Sequence, residues 1–343
     1  MQSMLLLDQV LSSTQPFIVE QSTGERFSLR GCRELAPMIA KCPMRYVLSD
    51  ELATACAELA YAGGHGLVRC LDLIRIPGPR VWVEWRDSAA LLGAREYFGD
   101  TLDQTRHRQR RAGAMLCSNP SGQSGVMHTV WADADQEPLV AAVNVHLEFN
   151  PGAAQLENRG DIFFGGWAAV TDSDPYVAQL LDCARYRFEN SWGAYYRATA
   201  RSDAARSQVI HSSLSSVARD VPVLMAFFLL LASGDALARR PVSREHLNRK
   251  RIRSGKDPLL DHVEASLSIF PTHSAQQADQ HPPHGRFRRH HHVRGHLVRR
   301  GSVIYWRRAH ARGRYSAGAV KSRTVTLSFD SAGVAQSEAN GWR

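Results

Sequence analysis

Cationic and aromatic residues alternate with apolar ones in two short runs near the end of the chain, 292–300 and 303–308. Alternation of this kind is typical of β-strands, and the Gly-Ser pair between the runs predicts a β-hairpin in which Arg300 pairs with Val303. Because paired residues share a face, this register divides the hairpin into two faces. The first face is mainly apolar and comprises Val293, Leu297, Ile304 and Trp306. The second is mainly cationic and comprises Arg294, His296, Val298, Arg300, Val303, Tyr305 and Arg307.

The cationic face has the chemistry of a surface that binds nucleic acid. A guanidinium group presents a planar set of donors that matches phosphate oxygens. A tyrosine ring such as Tyr305 can stack on an unpaired base. We therefore expect the contacts with nucleic acid to come from Arg294, His296, Arg300, Tyr305 and Arg307.

A second cationic cluster lies on a short predicted helix over 244–253, which Ser243 caps and Gly255 ends. Its cations are Arg249, Lys250, Arg251 and Arg253, followed by Lys256. Helical spacing cannot place all of these side chains on one face. We expect the cluster to add to the same nucleic-acid-binding surface.

Catalysis is an alternative that the same residues leave open. Histidine and arginine together can cleave RNA without a metal, by general acid–base transfer and stabilisation of the charge on phosphorus. His296, His310 and Arg294 are the candidates for such a metal-independent ribonuclease or toxin. The sequence assigns no catalytic residue beyond this alternative.

Metal and cofactor sites are not predicted. His290 and His292 would share a face of a strand, but a zinc site needs further ligands and a supporting carboxylate, and no acidic residue occurs between 280 and 329. His146 and Glu148 have the spacing seen in zinc deaminases but lack the Pro-Cys-x-x-Cys that would follow.

The charge of the chain is unevenly distributed. The whole chain of 343 residues carries a formal net charge of +9. Residues 239–323 contain 20 Lys or Arg against 5 acidic residues, whereas the remainder contains 22 against 28. Such asymmetry indicates a basic module that binds an acidic partner. We expect that partner to be DNA or RNA, with an acidic host protein as a further alternative.

The elements that position these residues predict an α+β fold. Strand patterns at 80–85, 112–117, 126–131 and 139–149, separated by turns rich in Gly, Pro, Asn and Ser, indicate an antiparallel meander. Helical patterns follow at 176–188, 203–219 and 220–232. We therefore predict a mixed α/β domain over 1–150, a helical section over 151–240, a small basic antiparallel β module over 241–330 and a flexible tail over 331–343.

Six scattered cysteines without a Cys-x-x-Cys motif indicate a reducing compartment. The N-terminus lacks the basic segment of a signal peptide. The longest apolar run, 221–232, is shorter than the roughly 20 residues that cross a bilayer. We expect a cytoplasmic protein that does not bind membranes.

Three blocks carry a resemblance to a family of proteins. They are 79–85 (PRVWVEW), 247–259 (LN through GKDPL) and 292–313 (HVRGH through HARG). In these blocks the chain resembles uncharacterised proteins of bacterial prophages and other mobile elements. The resemblance implies a bacterial, phage-related context and assigns no activity.

Overall fold

The computed structural model describes residues 5–13, 17–20, 24–98, 110–133, 136–149, 160–233, 236–268, 289–293, 296–301, 303–307, 310–312, 314–321 and 327–329. Its helices are α1 Leu6–Ser12, α2 Cys32–Ala40, α3 Asp50–Tyr61, α4 Gly64–Val68, α5 Asp87–Gly93, α6 Arg95–Phe98, α7 Pro175–Leu181, α8 Asn190–Thr199, α9 Asp203–Ala218, α10 Asp220–Ala232 and α11 Glu245–Arg253. The fold class is α+β, as the sequence predicts.

The strands form one large sheet and three small ones. Those of the large sheet are β3 Met44–Leu48, β4 Arg80–Arg86, β5 Arg111–Ser118, β6 Ser124–Ala132, β7 Leu139–Glu148, β8 Ala184–Phe188, β9 Leu237–Val242 and β10 His262–Leu267. Those of the small sheets are β1 Phe17–Glu20, β2 Arg26–Leu29, β11 Arg289–Val293, β12 His296–Arg300, β13 Val303–Arg307, β14 His310–Arg312, β15 Arg314–Lys321 and β16 Leu327–Phe329.

The large sheet has the strand order β8-β7-β6-β5-β4-β3-β10-β9. Strands β4 to β8 form an antiparallel meander, which confirms the prediction made for its first four strands. Strand β3 runs parallel to both β4 and β10, and β9 closes the edge antiparallel to β10. The sheet is therefore mixed, with its parallel strands near one edge.

Helices cover both faces of this sheet. Along β7 the alternate residues Ala141, Val143, Val145 and Leu147 are buried in the main core, where α3 and α10 pack. On the opposite face α1 and α2 enclose a smaller core that includes Trp82, which is fully buried. Successive side chains of a strand point to opposite faces of the sheet, so the alternation along β7 reflects the different surroundings of its two faces.

Helix α10 is apolar on every side, and nearly all of its residues are buried. Together α9 and α10 form a stretch, Asp203–Ala232, that is long and apolar enough to cross a membrane. In the structure, 83% of its most apolar window is buried inside the protein, as is typical of a core helix.

The segment after Pro175 differs from its prediction. The predicted helix over 176–188 ends at Leu181, and Ala184–Phe188 forms β8 at the edge of the sheet. Ala184, Tyr186 and Phe188 are buried at intervals of two, and Ala184 and Phe188 also satisfy helical spacing with Leu180. The apolar pattern was therefore compatible with both periods, and pairing with β7 selects the strand.

The large sheet also joins the three segments that the sequence divides at 150 and 240. Strands β3 to β7 come from 1–150, β8 from 151–240 and β10 from 241–330, and residue 240 lies inside β9. These segments share one sheet and one main core. The predicted tail over 331–343 lies outside the described residues.

Beyond residue 288 the described strands form two three-stranded sheets with the orders β14-β11-β15 and β13-β12-β16. Each contains one antiparallel and one parallel pair, whereas the sequence predicts antiparallel pairing alone. Parallel pairing is possible for β15 and β16 because intervening strands, and not a tight turn, connect each of them to its partner.

Candidate basic surface and an open sheet cleft

The second cationic cluster of the sequence lies on exposed residues of α11, the helix that follows the edge strand β9. We use the name basic edge for the exposed cations of β9, of α11 and just after it, which are Arg239, Arg240, Arg249, Lys250, Arg253 and Lys256. On α11, a rotation of about 100° per residue places Arg249, Lys250 and Arg253 within one sector of the helix. Arg251 lies outside that sector and is half-buried, as helical spacing predicts.

Hydrogen bonds hold α11 in a fixed position. The Asn248 amide accepts from the backbone N–H of Leu259 at 2.7 Å and donates to the Leu259 carbonyl at 2.8 Å. Arg251 Nε donates to the carbonyl of Asp257 at 2.9 Å, and the N–H of Arg244 donates to Asp261 Oδ1 at 2.6 Å. The chain after α11 thus forms hydrogen bonds with the less exposed side of the helix. The cationic sector of α11 faces solvent.

Few acidic groups neutralise the basic edge. Arg249 pairs with Glu245 at 2.6 Å, and Arg240 pairs with Glu264. Both ion pairs are exposed, so each contributes about 0–1 kcal/mol and a stronger anion can displace it. In the part of the chain that the structure describes, Lys250, Arg253 and Lys256 form no ion pair.

The hairpin forms with the register that the sequence predicts, because Arg300 pairs with Val303 and His296 pairs with Arg307. The exposed fraction of Val303 is 60%, and Arg300 is also exposed, whereas Val298 on the same face is buried. Tyr305 pairs with Val298 in the backbone ladder. Arg294 lies outside the described residues.

One face of the hairpin docks on the rest of the protein. Ile304 packs against the main core, and Arg299 forms a two-pronged ion pair with Asp72 at 2.9 and 3.0 Å. Arg299 also donates to the carbonyl of Arg69. The hydrogen bonds with Asp72 raise the pKa of Arg299, which stays charged. These contacts leave Arg300 and Val303 on the outer face.

The two histidines of the ribonuclease alternative lie in different sheets. His296 is on β12, which pairs with β13 and β16, and His310 is on β14, which pairs with β11. No strand ladder brings the two together. Among the described residues there is also no group of three His, Cys, Asp or Glu side chains that could hold a metal ion.

The structure reveals a second polar region, on the part of the sheet that α1 and α2 do not cover. Cross-strand pairing places two rows of residues side by side on this face. The first row runs Arg80, Cys117, Val126, His146, Arg185, and the second runs Trp82, Met115, His128, Asn144, Arg187. In both rows, the residues that β7 and β8 contribute are all polar.

A cleft of about 580 Å³ opens over this polar part, and we call it the sheet cleft. It is lined by Cys117, Asn119, Ser124, Gly125, Val126, His146, Leu147, Glu148, Trp167 and Arg185. The indole ring of Trp167 meets the His146 ring edge to face, with ring centroids 4.1 Å apart. The Arg187 guanidinium lies 5.6 Å from the centre of the same indole ring.

The histidines of this face are uncharged at neutral pH. Burial and, to a smaller extent, the charge of Arg187 lower the pKa of His146 to about 4. Burial and the charge of Arg30 likewise lower the pKa of His128 to about 4, although a 2.7 Å hydrogen bond with Asn144 opposes this. The fixed charges that line the cleft are therefore those of Arg185 and Glu148.

The alternation of polar and apolar residues along β7 and β8 is the sequence signal for this region. On β7 the polar residues Asn144, His146 and Glu148 alternate with buried apolar residues, and on β8 Arg185 and Arg187 do the same. Such alternation predicts a polar sheet face. The pairing of His146 with Arg185 that brings these residues together depends on tertiary structure.

Comparison of this chain with family models, with curated proteins and with solved structures finds no match. The resemblance to prophage proteins therefore stays a prediction.

Proposed function

We propose that this protein binds nucleic acid through the basic edge, with the outer face of the hairpin as a second contact. The observation that carries the proposal is the exposed cationic sector of α11, formed by Arg249, Lys250 and Arg253 and held in place by the bonds of Asn248. Rigid, exposed cations that lack strong acidic partners attract phosphate groups and release counterions when these bind.

The hairpin residues extend this proposal. Arg300 is exposed on the outer face, and Arg294, His296, Tyr305 and Arg307 remain the proposed contacts with bases and phosphates. Six cysteines without a disulfide fit a reducing compartment, which for a nucleic-acid-binding protein is the cytoplasm.

The test is fluorescence anisotropy of labelled single- and double-stranded DNA and RNA, titrated with the full chain over a series of salt concentrations. For duplex DNA we expect log K to fall steeply with log salt. The triple variant Arg249→Ala, Lys250→Ala, Arg253→Ala should reduce the slope by about 2 to 3, because each lost phosphate contact removes about 0.9.

A matched control separates the basic edge from total charge. The triple variant Arg33→Ala, Lys41→Ala, Arg201→Ala removes the same charge from exposed positions elsewhere. The control should bind with nearly the original slope. If both triple variants lose affinity equally, or if the original protein does not bind at low salt, the proposal is wrong. An acidic protein partner would then be the leading alternative for the basic edge.

A further inference from the structure

The sheet cleft contains a buried cation that forms no direct ion pair among the described residues, although the carboxylates of Asp182 and Glu148 act on it from a longer distance. Arg185 is only 8% exposed. Its Nη1 donates to the carbonyls of Asp182 at 3.2 Å and Ala184 at 2.7 Å, whereas its Nε is buried without a hydrogen-bond partner. No carboxylate of the described residues lies within the 4.0 Å of an ion pair. Since buried charges in proteins are normally paired, Arg185 indicates that an anion is bound here.

The residues around Arg185 indicate the size and polarity of the rest of that ligand. Val126 is a half-exposed apolar residue on the sheet, and the partly exposed ring of Trp167 forms a wall of the same cleft. A volume of about 580 Å³ lies within the range of small-molecule sites, which combine apolar walls with a few polar groups. The cleft therefore fits a compact ligand with an apolar ring or chain.

The charges of the cleft select the type of anion. Nη1 is bound to backbone carbonyls and Nε is enclosed by protein, so Nη2 is the guanidinium nitrogen that remains to bind an anion. The exposed carboxylate of Glu148 lines the same cleft, and His146 adds no positive charge because its imidazole is neutral at pH 7. A phosphate dianion would bring a second charge beside Glu148 and three acceptor oxygens to a site whose free cationic donor is Nη2 of Arg185, so a carboxylate matches these groups better.

We propose that the sheet cleft binds a small organic carboxylate, which pairs with Arg185 and places its apolar part between Val126 and Trp167. This site is independent of the basic edge. It lies over β6 to β8, at the opposite end of the sheet order from β9.

The test uses three probes of the same shape: 2-naphthoate, its neutral amide 2-naphthamide, and 2-naphthyl phosphate. Binding to the full chain is measured by isothermal titration calorimetry and by the shift in melting temperature. We expect saturable one-to-one binding of 2-naphthoate, and binding at least tenfold weaker for the amide and for the phosphate. If 2-naphthoate does not bind saturably, or if the phosphate binds as tightly, the proposal is wrong.

Two variants locate the binding. Arg185→Lys retains the charge, but its shorter, non-planar ammonium does not reproduce the guanidinium nitrogen Nη2, so we expect at least tenfold weaker binding, whereas Arg201→Lys at an exposed position should bind normally. Arg185 also donates hydrogen bonds to backbone carbonyls, so its replacement could disturb the fold. Val126→Trp provides a second test, because the larger side chain at this half-exposed position should fill the cleft and abolish binding. Normal binding of 2-naphthoate by a folded Val126→Trp protein would overturn the assignment.

Discussion

Glu84 offers the sharpest test of how the sheet holds the N-terminal helix. This carboxylate is completely buried on β4. It accepts from the backbone N–H groups of Leu6 at 3.1 Å and Leu7 at 2.8 Å, and from Trp82 Nε1 at 3.2 Å. It also accepts from Nε of Arg111 at 3.1 Å and Nη2 at 2.6 Å. Glu84 thereby joins the first turn of α1 to the sheet.

The proposed change is Glu84→Gln, which retains the size of the side chain. In either amide orientation the new NH2 group faces donors, so at least two of these bonds are lost. The change also leaves Arg111, whose side chain is 13% exposed, without its counter-ion. Removal of one partner from a buried ion pair costs about 3–5 kcal/mol, so we expect the free energy of unfolding to fall by that amount.

Urea denaturation followed by tryptophan fluorescence measures this loss. The matched control is Arg86→Met, which removes the 3.0 Å ion pair of Arg86 with Asp50, where both side chains are about half exposed. The control should cost less than about 1 kcal/mol. The double variant Glu84→Gln, Arg111→Met should lose less than the sum of its single variants. A loss for Glu84→Gln no larger than that of Arg86→Met would refute this reasoning.

Two further predictions concern pH and the docking of the hairpin. Burial, with the nearby charge of Asp87, raises the pKa of Asp220 to about 7. The folded protein therefore retains a proton that the unfolded chain releases near pH 4, and the free energy of unfolding should decrease as the pH rises from about 4 to about 7. Asp220→Asn should flatten this decrease in urea titrations at several pH values, and an unchanged profile would contradict the assignment. Asp72→Asn should weaken the contact with Arg299, speed trypsin cleavage within 299–308 severalfold and change global stability by less than about 1 kcal/mol. A cleavage rate equal to that of the original protein would show that this ion pair does not hold the hairpin.

Local patterns were sufficient to predict the meander and the hairpin. The strands β4 to β6 are short, largely apolar runs and β7 alternates with a period of two, and turn residues separate all four. The Gly-Ser turn fixes the pairing of Arg300 with Val303. In both cases the neighbours in space are also neighbours in sequence, so one stretch of chain contains the whole signal.

Features that depend on distant contacts could not be predicted in this way. Strand β8 was assigned to a helix because its apolar spacing fits both periods, and only pairing with β7 decides between them. The sheet cleft could not be predicted because its lining residues Trp167 and Arg185 belong to a different part of the chain from His146. The pairing of β9 with β10, which places residue 240 inside a strand of the large sheet, likewise has no signal in the local sequence.

The position of β10 between β3 and β9 has a consequence for the order of events during synthesis. Tyr46 on β3 pairs with Val263 on β10, so β3 remains an open sheet edge until almost all of the large sheet has left the ribosome. During that interval the strongly apolar helix α10 is already made, whereas β10 of its core is not. Long-range pairing of parallel strands forms slowly, and exposed edges with apolar helices favour aggregation. The nascent chain is therefore a natural client for chaperones that shield apolar segments.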